Sequence, residues 1–330
     1  MDPSEAAGHT DYRQLAGRMG RDTLEKRILK QAWLWAKSVH QGQGIFRLER
    51  FFPLDDVIAM GLKISGMAGL GRRNYLDVQT VHQAFVLPDL PPEFEGFRIL
   101  QLSDLHCDLE PDLIDVVIRK LSGLEYDAVV LTGDYHNKIA GGHDVSLDLM
   151  GRLTSHLKVP AYAILGNHDF LEQVVYLEEV GLRVLLNEAE AIERAGHRLW
   201  ICGVDDPHFF QTDDLRRARA PVGAGETSIL LSHSPETYQE AAALGYSVML
   251  SGHTHGGQLC LPGGIAVIRN APIPRRLLAG PWREGGLQGY TSRGTGGCGV
   301  AARFFCPPEI TLHTLRSSPV HEPRSLKPAR

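Results

Sequence analysis

The sequence is poor in features that would make a protein secreted, membrane-spanning or disulfide-bound. Its five cysteines lie at 107, 202, 260, 298 and 306, an odd number with no Cys-x-x-Cys pair. This excludes a disulfide framework and a cysteine-based zinc site, and it predicts a reducing compartment. Long apolar runs are also missing. The best candidate, 57–71, contains Lys63, follows Asp55 and Asp56, and is too short and glycine-rich to span a bilayer. The uncharged stretch 241–268 is broken by His253-Thr-His-Gly-Gly-Gln. The first ten residues lack the basic start and apolar core of a signal peptide. Together these predict a cytoplasmic address. A broad basic face is absent as well. Net charge is −5, with +5 concentrated in residues 11–50 and −8 spread from residue 51 onward. No specific nucleic-acid partner is therefore expected. No internal repeat is found.

With 330 residues, 43% of them hydrophobic, the chain can bury a large core and still carry an appendage. Residues 1–22 are polar and expected to be poorly ordered. From 23 to 39, Leu24, Ile28, Trp35 and Val39 recur at helical spacing with Leu29 and Trp33 alongside. Lys26, Arg27, Lys30 and Lys37 supply a basic face. Such a helix fits an anionic membrane surface, the body of the protein or a second subunit. A second helix is expected over 54–67, and Pro88-Asp-Leu-Pro-Pro reads as a linker. From Phe97 short apolar strands (97–102, 128–131, 161–165, 199–204, 228–231, 247–250, 309–315) interleave with helices (111–121, 145–157, 171–180). That rhythm indicates an α/β layered fold. The expected division is a helical extension and linker over 1–90, one α/β domain over 91–316, and a disordered tail over 317–330.

Polar residues gather where these strands end, the position at which open α/β sheets hold ligands. The first strand runs into Asp104-Leu-His106, whose side chains, two apart, point to one side. The second runs into Thr132-Gly-Asp134, where a glycine lets the backbone come close to a metal pair. The third ends in Gly166-Asn167-His168-Asp169. An Asn carbonyl is a hard, neutral oxygen ligand, and the His168–Asp169 pair has the make-up of an oriented general acid. Two later strands end in Ser232-His233 and in Gly252-His253-Thr-His255-Gly-Gly-Gln. Each motif alone is equally a turn, a helix cap or a structural histidine. In conjunction, Asp104, His106, Asp134, Asn167, His233, His253 and His255 offer oxygen and nitrogen donors with one carboxylate to share. That set suits two divalent ions roughly 4 Å apart. Mn2+, Fe2+ and Zn2+ all accept it, whereas a thiolate-seeking metal does not. Cys107 reads as packing, and His136 and His143 as solvated loop residues.

On these motifs the sequence resembles the calcineurin-like metallophosphoesterase superfamily over about 97–316. Leu-Ser-Gly-His-Thr-His-Gly-Gly-Gln (250–258) and the stretch from Ser292-Arg-Gly-Thr-Gly to Pro307-Pro-Glu-Ile310 are similar to its YkuE/YaeI-type branch. That branch in turn resembles the chlamydial type of UDP-2,3-diacylglucosamine pyrophosphatase. The resemblance implies a four-layer αββα sandwich. It implies that Asp104, His106 and His255 hold one metal, that Asn167, His233 and His253 hold the other, and that Asp134 bridges them. The mechanism read from these residues is attack on phosphorus by a metal-activated water, with His168 protonating the leaving oxygen or stabilising the transition state and Asp169 orienting its ring. Substrates implied are phosphodiesters or pyrophosphates, with a lipid-linked nucleotide such as UDP-2,3-diacylglucosamine as the specific candidate. With the helix at 23–39, this suggests peripheral association at the inner membrane face. A soluble phosphodiesterase or nuclease, and a non-catalytic scaffold, stay open as alternatives.

Overall fold

A computed structural model describes residues 11–40, 54–138, 144–267 and 270–318. The first sheet contains β1 (Gln79–Leu87), β2 (Arg98–Leu102), β3 (Ala128–Leu131), β4 (Ala161–Ala163), β5 (Leu182–Val184) and β14 (Glu309–Ser317), in the order β1-β14-β2-β3-β4-β5. The second contains β6 (Glu188–Arg194), β7 (His197–Gly203), β8 (Ser228–Leu231), β9 (Val248–Ser251), β12 (Gly280–Glu284) and β13 (Leu287–Thr291), in the order β12-β13-β9-β8-β7-β6. A small ribbon joins β10 (Cys260–Leu261) to β11 (Ile265–Ala266).

Strand periodicity assigns the cores. In β3, Ala128 and Val130 face the other sheet, and Val129 and Leu131 face helices. In β8, Ile229 and Leu231 meet the first sheet, while Leu230 turns outward to a third core. Because both faces of these parallel strands are covered, they read as continuous apolar runs. The outer layer on the first sheet includes α5 (Asp112–Leu121), α6 (Asp144–Thr154) and α7 (Gln173–Glu179); the layer on the second holds α8 (Leu215–Arg219) and α9 (Tyr238–Ala243). The architecture is therefore αββα. In α5, Leu113, Ile114, Val117 and Leu121 form the buried stripe, each contributing about 1.5–3 kcal/mol. Asp112 and Asp115 at its start and Arg119 and Lys120 at its end complement the helix dipole. This helix returns the chain from β2 to the parallel β3, bringing the two strand ends side by side.

The N-terminal region departs from expectation in two places. Residues 79–87, read as extension and linker, form β1, which pairs in parallel with β14 and buries Phe85 and Leu87 between the sheets. It escapes sequence reading because it is an edge strand whose remaining residues stay partly exposed. Residues 12–19, read as poorly ordered, form the helix α1 (Tyr12–Met19). The Asp11 side chain caps its first turn, and Leu15 and Met19 enter the core. Next come α2 (Arg21–His40), α3 (Leu54–Ile64) and α4 (Ala68–Leu76). No helix of the described residues is long and apolar enough to cross a membrane. The stretch read as a disordered tail lies outside the described residues from 319 onward.

Candidate metal centre

The parallel strands of both sheets deliver their C-terminal ends to one place. Asp104 and His106 follow β2, Asp134 follows β3, Asn167 follows β4, His233 follows β8, and His253 and His255 follow β9. Two clusters result: Asp104, His106, Asp134 and His255 have ligand atoms within 4.8 Å of one another, and so do Asp134, His233 and His253. Asp134 belongs to both. Its Oδ2 lies 3.5 Å from His106 Nε2 and 3.2 Å from His233 Nε2. Asn167 Oδ1 lies 3.1 Å from the same His233 nitrogen.

The backbone is strained to bring these side chains inward. Asp104, His106, Asp134, His253 and His255 all have positive φ, between 40° and 68°, a region costly for non-glycine residues. Neighbouring loops hold them there. Asp104 N donates to Gly133 O (3.0 Å), His106 N to Asp134 O (3.0 Å), and His253 N to Asp104 Oδ1 (2.9 Å). Gly166 is required for space, since a Cβ there would collide with the Asp134 carboxylate.

Imidazole orientation fits a metal pair. His106 Nδ1 lies 2.9 Å from His136 O, and His233 Nδ1 lies 2.7 Å from Thr132 O. A carbonyl only accepts, so each Nδ1 carries a proton and each ring turns its Nε2 to the cup. His106 offers a lone pair there. On His233, where burial is outweighed by the Asp134 carboxylate and the ring is raised to about 10, a cation would displace the second proton. His106 Nε2, His253 Nε2 and His255 Nδ1 are buried without a hydrogen-bond partner, a costly arrangement for the protein alone. Burial takes His106 down to about 4 and holds His253 and His255 well below the ordinary histidine range, so all three are neutral donors. Burial opposes ionisation of Asp134 too, but His233 and His168 hold its carboxyl well below the usual range. A divalent cation therefore suits the residues present.

His168 stands beside this cup. Its ring is 4.9 Å from that of His106, its Nδ1 lies 2.9 Å from Asn137 O, and its Nε2 is 3.8 Å from Cys298 Sγ. Asp169 does not orient that ring, contrary to the sequence reading. Its carboxylate accepts instead from the backbone N–H groups of Asp134 (2.7 Å), Tyr135 (2.9 Å) and Gly166 (2.8 Å). Asp169 thus ties two strand-end loops together, and the Asn137 carbonyl does the orienting. His136 is also not solvated. Its ring is buried, and its carbonyl serves His106. His143 lies outside the described residues. Cys107 is buried, as expected of packing.

Two contributions were missed by sequence reading. His208, after β7, sets its ring 4.1 Å from that of His253, with Nδ1 2.9 Å from Glu236 Oε2. The only signal was Asp205-Asp206-Pro-His at a strand end. Arg27, on α2, is fully buried. It donates to Asp169 O (2.7 Å), stacks 3.2 Å from the Phe210 ring centroid, and approaches Asp205 at 3.6 Å. Gln31 accepts from Leu171 N at 3.0 Å. The N-terminal helix thus braces the loop that carries Asn167 and His168.

A buried, strained cup of histidines and carboxylates at the strand ends of an αββα sandwich defines a metal-dependent hydrolase. Comparison with known families narrows this. Residues 97–257 match the calcineurin-like phosphoesterase family, and the chain carries a calcineurin-like metallophosphoesterase domain. It is 29% identical over 274 residues to the uncharacterized metallophosphoesterase YkuE of Bacillus subtilis, covering 79% of this chain and 94% of that one. It is 28% identical to the phosphodiesterase YaeI of Escherichia coli, covering 66% and 81%. It is 26% identical to the UDP-2,3-diacylglucosamine pyrophosphatase LpxG of Chlamydia muridarum, covering 68% and 85%.

Proposed function

We propose that the protein hydrolyses a phosphodiester or pyrophosphate with two divalent cations bound in the cup, and that its substrate is a lipid-linked nucleotide. The observation that carries the two-metal reading is the sharing of Asp134 between the two clusters. Asp104, His106 and His255 would hold one cation, Asn167, His233 and His253 the other, with Asp134 between them. When bound, such cations polarise phosphoryl oxygens and lower the pKa of a water. The chain's own residues do the rest. Asp169 and the strand-end loops keep the donors in place, so little reorganisation accompanies the reaction. With Nδ1 committed to the Asn137 carbonyl, His168 offers its Nε2 edge to the substrate, where it passes a proton to the leaving oxygen.

The substrate class rests on two supports. LpxG carries its substrate in its name, and apolar side chains stand exposed on a helix whose start approaches the Cys298–Gly299 loop. On α3, Val57, Met60 and Ile64 are exposed, while at that helix's start the Asp55 carboxylate lies against Gly299, beside Cys298. These residues would offer acyl chains a surface along the helix that starts beside the loop holding Cys298, whose Sγ is 3.8 Å from His168 Nε2. The test is turnover of UDP-2,3-diacylglucosamine, a short nucleotide sugar and a simple phosphodiester by the purified protein with Mn2+, Fe2+ or Zn2+. Preference for the diacylated substrate supports the reading; equal turnover of all three refutes the lipid part and leaves a general phosphodiesterase.

A further inference from the structure

Beneath the cup, between the two sheets, lies a line of buried polar side chains that the reaction itself does not use. His313 on β14 is fully buried, stacked on Phe85 and edge-on to Tyr290. Its Nε2 lies 2.9 Å from Gln101 Oε1 on β2. Gln101 Nε2 donates to Thr132 Oγ1 (3.1 Å) and to Ser251 O (3.0 Å). Thr132 Oγ1 donates to Ser103 Oγ (2.7 Å), and Ser103 Oγ to Asp104 Oδ2 (2.6 Å).

The direction of every proton follows from one fixed acceptor. Ser251 contributes a carbonyl, which only accepts, so the Gln101 amide nitrogen faces it and the amide oxygen faces His313. His313 is buried and neutral, so its single N–H sits on Nε2 and points at that oxygen. Thr132 Oγ1 receives a Gln101 N–H and passes its own hydrogen to Ser103. Ser103 can then only donate to Asp104. Donors aligned head to tail in a dry core strengthen one another. The end of the line is closely fitted, since a Cβ on Gly252 would collide with both the Ser103 hydroxyl and the Asp104 carboxylate.

We infer that His313, Gln101, Thr132 and Ser103 are positioning residues that hold Asp104 Oδ2 and so turn Oδ1, which accepts the His253 N–H at 2.9 Å, toward a cation. Asp104 Oδ1 already faces His255, with Nε2 at 3.5 Å. On this account the metal affinity of the Asp104–His106–His255 cluster is set from the core between the sheets. The inference rests on the two-metal reading above. Among the described residues no such line of side chains reaches His233, which is oriented by the backbone carbonyl of Thr132 rather than by its side chain. Thr132→Val therefore removes the line while leaving that bond, which makes the second cluster an internal control.

The test is titration of metal-free, full-length protein with Mn2+ alone, read by calorimetry and by the free-ion paramagnetic signal. Thr132→Val should weaken one of the two Mn2+ sites by roughly 10- to 100-fold, the usual effect of removing a ligand's outer support. Thr132→Ser, which keeps the hydroxyl, should restore binding to within a few-fold of wild type. Ser103→Ala cuts the final link with less disturbance of packing and should act in the same direction. The thermal midpoint of each metal-free variant separates this from a packing defect. Two sites of unchanged affinity in both Thr132→Val and Ser103→Ala would overturn the inference, and so would equal weakening of both sites. The wild-type stoichiometry in the same titration distinguishes failure of the chain from failure of the two-metal reading.

Discussion

The strand-end cup and the N-terminal arm hold the same catalytic loop by opposite means. In the cup, strained backbone and main-chain donors do the holding: positive φ at five candidate ligands, and three N–H groups converging on Asp169. In the arm, long side chains reach across from α1 and α2. Arg27 and Gln31 grip the loop at Asp169 and Leu171, while Arg18 anchors the arm to Val184 and Glu188. Main-chain geometry tolerates few substitutions, and its chemistry is visible in the residues it needs. Side-chain clamps are replaceable one at a time and leave little trace in sequence. The difference predicts a steep gradient of mutational effect from cup to arm.

The largest loss is expected at Asp134. Asp134→Asn removes the carboxylate oxygen lying near both His106 and His233, so it should cost more activity than loss of any single-cluster ligand. It should also lower bound metal from about two per chain. Elemental analysis finding full metal content in this variant would end the bridging assignment. His168→Ala comes next. It should lower turnover by roughly 10²–10⁴ with metal content unchanged, because the ring lies outside both clusters. The loss should shrink for nitrophenyl esters, whose leaving group needs little protonation. An equal loss for good and poor leaving groups would argue that His168 binds phosphate rather than supplying a proton.

This gradient also explains what was legible before the structure. Fully buried parallel strands such as β3, β8 and β9 announce themselves as apolar runs, and the residues after them carry metal-ligand chemistry that few other sites need. Edge strands do not. β1, β6 and β12 keep polar residues on an exposed face, so β1 passed for linker and the other two were not seen. Asp169 was found as a site residue but misjudged in role. Adjacency to His168 says nothing about where a carboxylate points, and the N–H groups it accepts come from loops about 35 residues earlier as well as its own. His208 was invisible for the same reason: it meets His253 through the packing of β7 beside β8 and β9, not through any local pattern. A charged residue on an amphipathic helix is usually solvated, so nothing in the sequence separated Arg27 from Lys26 or Lys37.

The arm should show the intermediate effect. Arg27→Ala leaves Asp205 without its buried neighbour and should cost about 3–5 kcal/mol of stability, as breaking buried ion pairs does. Loosening the Asp169–Leu171 turn should also lower kcat by up to ~10²-fold, the scale of a misplaced catalytic group, while metal content holds. Denaturant unfolding and steady-state kinetics on the same sample read both quantities. Lost stability with unchanged kcat would make the arm a brace for the fold alone and erase its link to the cup.

The smallest effect concerns the outer face of the arm. The sequence suggested that Lys26, Arg27 and Lys30 meet anionic lipid, but all three turn toward the body: Lys26 bonds Gln211 O, Lys30 bonds Phe209 O at 3.2 Å, and Arg27 is buried. Replacing them with Glu would therefore disturb the fold before it tested a membrane. The outward side carries Leu29, 70% exposed, and Trp35, 57% exposed, beside the exposed Arg21–Glu25 pair, while Trp33 stacks on Phe209 of the body. If that face meets a bilayer, the contact is led by burial of these side chains, worth about 1.5–3 kcal/mol for a fully buried Leu, and not by charge. Co-sedimentation with anionic vesicles should then persist at moderate salt and fall when Leu29 and Trp35 are changed to Ser. Binding abolished by salt alone would return the contact to electrostatics. Protein left wholly in the supernatant at low salt would remove the membrane from the account and leave the lipid-linked substrate to rest on the likeness to LpxG and the exposed side chains of α3.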